Sequence, residues 1–210
     1  MPLGAKIPSE HSVENLSNHF ILEALAQPKA WLYCPTPAEE KTRGYDAKLK
    51  NHKVILIQYK ALKYLYANGD VKIAIDPIQL GVLQAAAFGK CNTAFYGFCV
   101  LPSYNALDAN FLAAPPQTFF SKCLFVDAMT IPNLTEFLRG NLGGFVARNA
   151  AGPIAPVATI TGPQLCAGIK ACSIGLPLGG LPRGGDGENA RGSKRLTALL
   201  YPMSSSARGR

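Results

Sequence analysis

The sequence predicts a mixed α/β domain, and three segments carry that expectation. Residues 13–26 have helical spacing behind a serine, residues 54–62 form a β-branched and aromatic run, and Asp76-Pro77 opens a second helix ahead of a nearly unbroken hydrophobic stretch at 93–101. With 210 residues, 48% of them hydrophobic, the chain can bury a core of ordinary size.

The elements follow in chain order. Ser12 caps a first helix expected from about Val13 to Ala26 and closed by Pro28. Val13, Leu16 and Phe20 make one apolar line, and Glu14, Asn18, Ile21 and Leu25 an adjoining one that is polar only at its start, so Glu14 borders the buried face. Residues 54–62 read as a strand on which Gln58 and Lys60 share a face with Val54 and Leu56, two strongly polar groups in an apolar row. Lys50-Asn51-His52-Lys53 is a polar turn candidate, so Tyr45 to Leu49 is expected to pair antiparallel with residues 54–60 and bring Asp46 near Gln58 and Lys60.

In the second helix Asp76 is the cap, Pro77 the first position, and Gly89 the left-handed stop after Phe88. Its apolar residues surround the axis, which predicts packing against a sheet; Gln79 and Gln84 on it are either substrate-facing or ordinary surface amides. Thr93 to Leu101 reads as a strand buried on both faces. Lys122 to Ala128 reads as one more strand, and Asn133-Leu134-Thr135-Glu136 has the form of a capping box before a short helix ending at Gly140. Glycine, alanine and proline then dominate. Residues 1–140 are therefore expected to form the domain, and residues 141–210 an irregular, flexible C-terminal region whose end carries Arg191, Lys194, Arg195, Arg208 and Arg210.

A carboxylate, an amide and an ammonium brought together are what metal-dependent cleavage of a phosphodiester needs. Asp46 offers a hard oxygen for Mg²⁺, the Gln58 carbonyl and a main-chain carbonyl extend the shell, and Lys60 can orient the attacking water or offset phosphate charge. Gly44-x-Asp46, a spacer, then Gln58-x-Lys60 after an apolar run resembles the PD-(D/E)XK nucleases, specifically the Mrr-like restriction endonuclease branch in which glutamine replaces the acid before x-Lys. The resemblance covers roughly residues 9–102 and implies a restriction-endonuclease-like core of helix, three-stranded meander, helix and strand. It also implies Mg²⁺ (with Mn²⁺ as a substitute), DNA as substrate, and a setting in restriction, defence or repair. A glutamate on the first helix would join the metal: Glu14 by position, with Glu40 as runner-up; otherwise Glu14 is a solvated residue near a helix N-terminus. A neutral Gln58 would hold the ion more weakly than a second carboxylate, unless Glu14 or Glu40 restores the balance.

The net charge of +8 favours polyanionic partners, and Lys48, Lys50, Lys53 and Lys63 are candidates for DNA backbone contacts, against the plainer reading that they solvate a hairpin. The six cysteines form no Cys-x-x-Cys pair and have no histidine at zinc-ligand spacing. Neither a nucleophile elbow nor a phosphate-binding P-loop is present. With no signal-peptide pattern and no apolar run of membrane-spanning length, the cytoplasm is the expected compartment; a homodimer is compatible with the reading. Two rivals remain, a non-catalytic nucleic-acid-binding protein on the same fold and a structural Asp46–Lys60 ion pair.

Overall fold

The computed structural model describes residues 6–27, 30–33, 52–65, 71–87, 89–101, 103–111, 118–131, 136–139, 145–149, 152–177 and 197–202. Helix α1 (Glu10–Leu25) starts three residues before the expected Val13, because Ser9 rather than Ser12 is the cap, its hydroxyl accepting the Ser12 N–H. It stops at Ala26, whose left-handed backbone (φ 48°) returns its N–H to the carbonyls of Leu22 and Glu23. The strands β1 (Trp31–Tyr33), β2 (His52–Lys60), β3 (Tyr64–Leu65) and β4 (Val71–Ala74) precede α2 (Pro77–Ala86). Asp76 and Pro77 open α2 as expected, the Asp76 carboxylate accepting the Ile78 N–H, and Gly89 has the positive φ of 69° that its place after the helix requires. Then come β5 (Ala94–Cys99), α3 (Tyr104–Phe111), α4 (Thr118–Lys122), β6 (Cys123–Asp127) and a 3₁₀ turn at Ala128–Thr130. β5 is buried at every position, and β6 lies where the Lys122–Ala128 strand was expected.

Past residue 130 the structure departs from the sequence expectation. Glu136–Arg139 is a strand, β7, instead of a helix, because it pairs antiparallel with both β4 and β8 (Phe145–Asn149). Sheet pairing on two edges overrides a local capping pattern. Regular structure also continues through β9 (Gly152–Val157), β10 (Ile160–Thr161), α5 (Gly162–Lys170), β11 (Leu176–Pro177) and β12 (Thr197–Pro202), which corrects the expectation of an irregular region. Helix α5 has a complete capping box of its own, Thr161 with Gln164, and Pro163 in its first turn.

The described strands form a seven-stranded mixed sheet, in the order β1-β12-β2-β5-β6-β10 with β11 also pairing β2, and a five-stranded antiparallel sheet, β3-β4-β7-β8-β9. β2 and β5 run parallel, joined through the β3–β4 hairpin and α2, as a parallel pair requires a crossover. Over Val54–Ile57 both edges of β2 are occupied, one by β12 and the other by β11 and β5. The antiparallel partners of this stretch are thus β12 and β11, while the segment 45–49 of the expected hairpin lies outside the described residues. Asp46 itself lies outside the described residues, as do Glu40, Lys48 and Lys50.

β2 separates two cores by its period of two. Val54 and Leu56 pack with Leu80 and Leu83 of α2, while Ile55, Ile57 and Tyr59 pack with Phe20 and Ile21 of α1 and Leu165 and Ile169 of α5. Each such side chain stabilises the fold by ~1.5–3 kcal/mol. Gly97, on the α1 side, leaves room for the rings of Tyr59 and Phe125, which a Cβ there would meet at 3.0 Å. No described helix is long and apolar enough to cross a membrane.

Lys53, expected among the DNA contacts, is a further correction. Only 2% exposed, it faces the α5 side, where Nζ donates to the carbonyls of Ile169 (2.8 Å) and Ile174 (3.3 Å) and lies 5.7 Å from the Tyr201 ring centroid. A side chain so enclosed contacts no phosphate; it ties the C-terminal turn of α5 to the sheet. Lys53→Ala should therefore lower unfolding stability by about 3 kcal/mol through lost packing and two bereft carbonyls, while leaving nucleic-acid affinity unchanged; urea midpoints and a binding titration on the same protein check both halves.

Candidate functional site

In an open α/β sheet, ligand crevices form where parallel strands end, beyond their carboxyl termini. β2 and β5 end together, Lys60 in register with Phe98 and Gln58 with Tyr96. Gln58 and Lys60 lie on the α2 face, each 5% exposed. The Lys60 ammonium donates to Gln79 Oε1 at 2.6 Å and stands 5.9 Å from the Tyr96 ring centroid. Gln79 belongs to the first turn of α2, so the strand's last residue is fastened to the helix that returns over it. Its Nε2 is buried with no hydrogen-bond partner among the described residues. A lysine, two amides and the N-terminal end of α2 make this corner rich in donors, with the Asp76 carboxylate capping the helix beside them.

Tyr96 closes the corner. Burial, and after it the negative charge of Asp76, hold its phenol well above the ordinary value. Gln84, the other amide considered on α2, instead donates to the carbonyls of Ala128 (2.9 Å) and Ile131 (3.0 Å) and pins the helix to the 3₁₀ turn. It takes no part in the site.

Glu14 approaches from the other face of the sheet. The start of α1 meets Tyr104, whose hydroxyl accepts from the Ser9 N–H at 3.1 Å and lies 3.2 Å from Ser12 Oγ. Tyr104 follows the end of β5, so the start of α1 stands at the carboxyl end of the parallel pair. Tyr59 donates to Asn18 at 2.7 Å, and Glu14 is one turn nearer the helix start, 6% exposed, with His11 Nδ1 at 3.7 Å from its carboxylate. Glu14 and Lys60 thus stand at one end of the sheet but on opposite faces, Lys60 turned to α2 and Glu14 carried by α1. Lys63, exposed just beyond β2, is bonded through its backbone N–H to the Lys72 carbonyl.

Among the described residues no three His, Cys, Asp or Glu side chains cluster as a metal site. Gln58 on the α2 face and Glu14 on the α1 face stand on opposite sides of the sheet, and the Asp76 carboxylate is a further described oxygen donor, close to Tyr96. The sequence missed Tyr96 as a wall of the site and Gln79 as the partner of Lys60. The first depends on strand register, and the second on the return path of α2. No protein-family model, curated protein or solved structure matches the chain.

The unfolded chain releases the Tyr96 proton near pH 10, whereas the folded chain keeps it, so the stability that Tyr96 contributes is fully present below about pH 10 and is lost as pH rises above it. Tyr96→Phe should flatten that alkaline decline, as measured by urea midpoints from about pH 8 to 11.

Proposed function

We propose that this chain is a Mg²⁺-dependent endonuclease-like protein that hydrolyses DNA phosphodiester bonds on a restriction-endonuclease-like core, in restriction, defence or repair. The observation that carries the reading is the Lys60 ammonium, buried beside Gln58 at the carboxyl end of the central strands and held by Gln79. A cation fixed at the positive end of α2 makes that corner a place for phosphate oxygen. Lys60 orients the attacking water and stabilises the charge that develops on the phosphate. Gln79 positions Lys60 through Oε1, and its Nε2 amide group is directed to substrate oxygen. Asp46 and Gln58 would hold the metal on the α2 face, with Glu40 as the alternative acid, and the ion would supply Lewis-acid polarisation and a more acidic water; Glu14, on the opposite face of the sheet, is left out of that shell. Lys63, together with Lys48 and Lys50, contacts the DNA backbone, in keeping with the net charge of +8.

A second reading, a nucleic-acid-binding protein that cleaves nothing, draws on the lack of a three-acid cluster among the described residues. Plasmid incubation with Mg²⁺, Mn²⁺ or EDTA separates the two. Nicking should require the ion and fall about 10²–10³-fold in Lys60→Ala and in Asp46→Ala. Salt-sensitive binding without nicking under any of these ions would overturn the enzyme and leave the binder. Gln79→Leu should cut turnover about tenfold at unchanged DNA affinity, and Gln79→Glu, which keeps an acceptor for Lys60 but loses the amide donor and sets a negative charge against the phosphate, should not recover it.

A further inference from the structure

β5 and β6 are antiparallel, and the last rung of their ladder places Cys99 directly opposite Cys123. One step beyond, the Val100 N–H donates to the Lys122 carbonyl at 3.2 Å, which makes 100/122 a hydrogen-bonded pair. Alternation along an antiparallel ladder then makes Cys99/Cys123 a non-hydrogen-bonded pair, the kind whose Cα atoms stand about 4.5 Å apart with side chains closest. That spacing lies within the reach of a disulfide. Both side chains are on the α1 face, within one cluster. Ser17 Oγ lies 3.3 Å from Cys123 Sγ, and the Cys123 thiol also donates to the Phe119 carbonyl at 3.6 Å.

We propose that Cys99 and Cys123 are a redox-active pair that forms a cross-strand disulfide and thereby fastens the end of the sheet carrying the candidate site. The oxidant is a low-molecular-weight disulfide. One protein thiolate attacks it and expels a small thiolate, giving a mixed disulfide; the second cysteine attacks that bond, forms Cys99–Cys123 and releases a second small thiol. The pair loses two electrons and two protons, and the oxidant is reduced to two thiols. Both cysteines are buried, but they occupy a strand end, where local opening is easiest. The cross-link closes the loop 100–122 and restrains the unfolded chain.

The test uses the full-length chain, incubated folded with a small disulfide, alkylated, digested without reduction and mapped by mass. The expected product is a Cys99–Cys123 peptide two hydrogens lighter than its parts and reversed by dithiothreitol. Oxidation should raise the melting temperature by about 5 °C and slow exchange of the Val100 amide. Cys99→Ala and Cys123→Ala should each lose the product and the oxidant-induced rise, each compared with its own untreated melting curve. Recovery of Cys99 and Cys123 as free thiols, labelled only after unfolding, while exposed Cys91 and Cys172 have reacted, overturns the proposal. So does linkage of either cysteine to another partner. Neither result bears on nuclease activity.

Discussion

The fold depends on one strand having no free surface along most of its length. β2 is paired on both edges over Val54–Ile57 and covered on both faces, by α2 on one side and by α1 and α5 on the other. A strand so enclosed tolerates polar groups only where they find partners, since an unsatisfied buried group costs about 1–3 kcal/mol. The polar residues at its two ends therefore mark where the structure does something other than pack.

Those ends differ. Lys53 and Lys60 are both buried lysines on β2, yet they meet opposite ends of helices. Lys53 donates to a carbonyl in the last turn of α5, the negative pole, where a cation is stabilised. Lys60 is bound to the first turn of α2, the positive pole, where a cation gains nothing from the helix. Burial alone would not separate a structural lysine from a functional one. The helix poles that they meet differ, and the functional proposal rests on Lys60 for that reason.

Much of the local structure was legible. Alternation placed Gln58 and Lys60 on one face, Asp76-Pro77 and Gly89 bounded α2, and the unbroken run at 93–101 announced a fully buried strand. The misses share a physical cause. Thr197–Pro202 becomes an interior strand because β1 and β2 supply partners on either side, though its composition is embedded among glycine, serine and arginine. Glu136–Arg139 carries a helix signature and becomes a strand for the same reason.

By itself, then, the chain determined its periodicities, its helix caps and the pairing of amide and ammonium two residues apart, all properties of neighbours in sequence. Only the tertiary structure decided which segment flanks β2, which helix covers which face, that Lys53 is sealed in the core while Lys60 meets Gln79, and that Cys99 stands across from Cys123. These outcomes are set by contacts between residues far apart in the chain, whose free energy depends on shared burial and register rather than on local propensity.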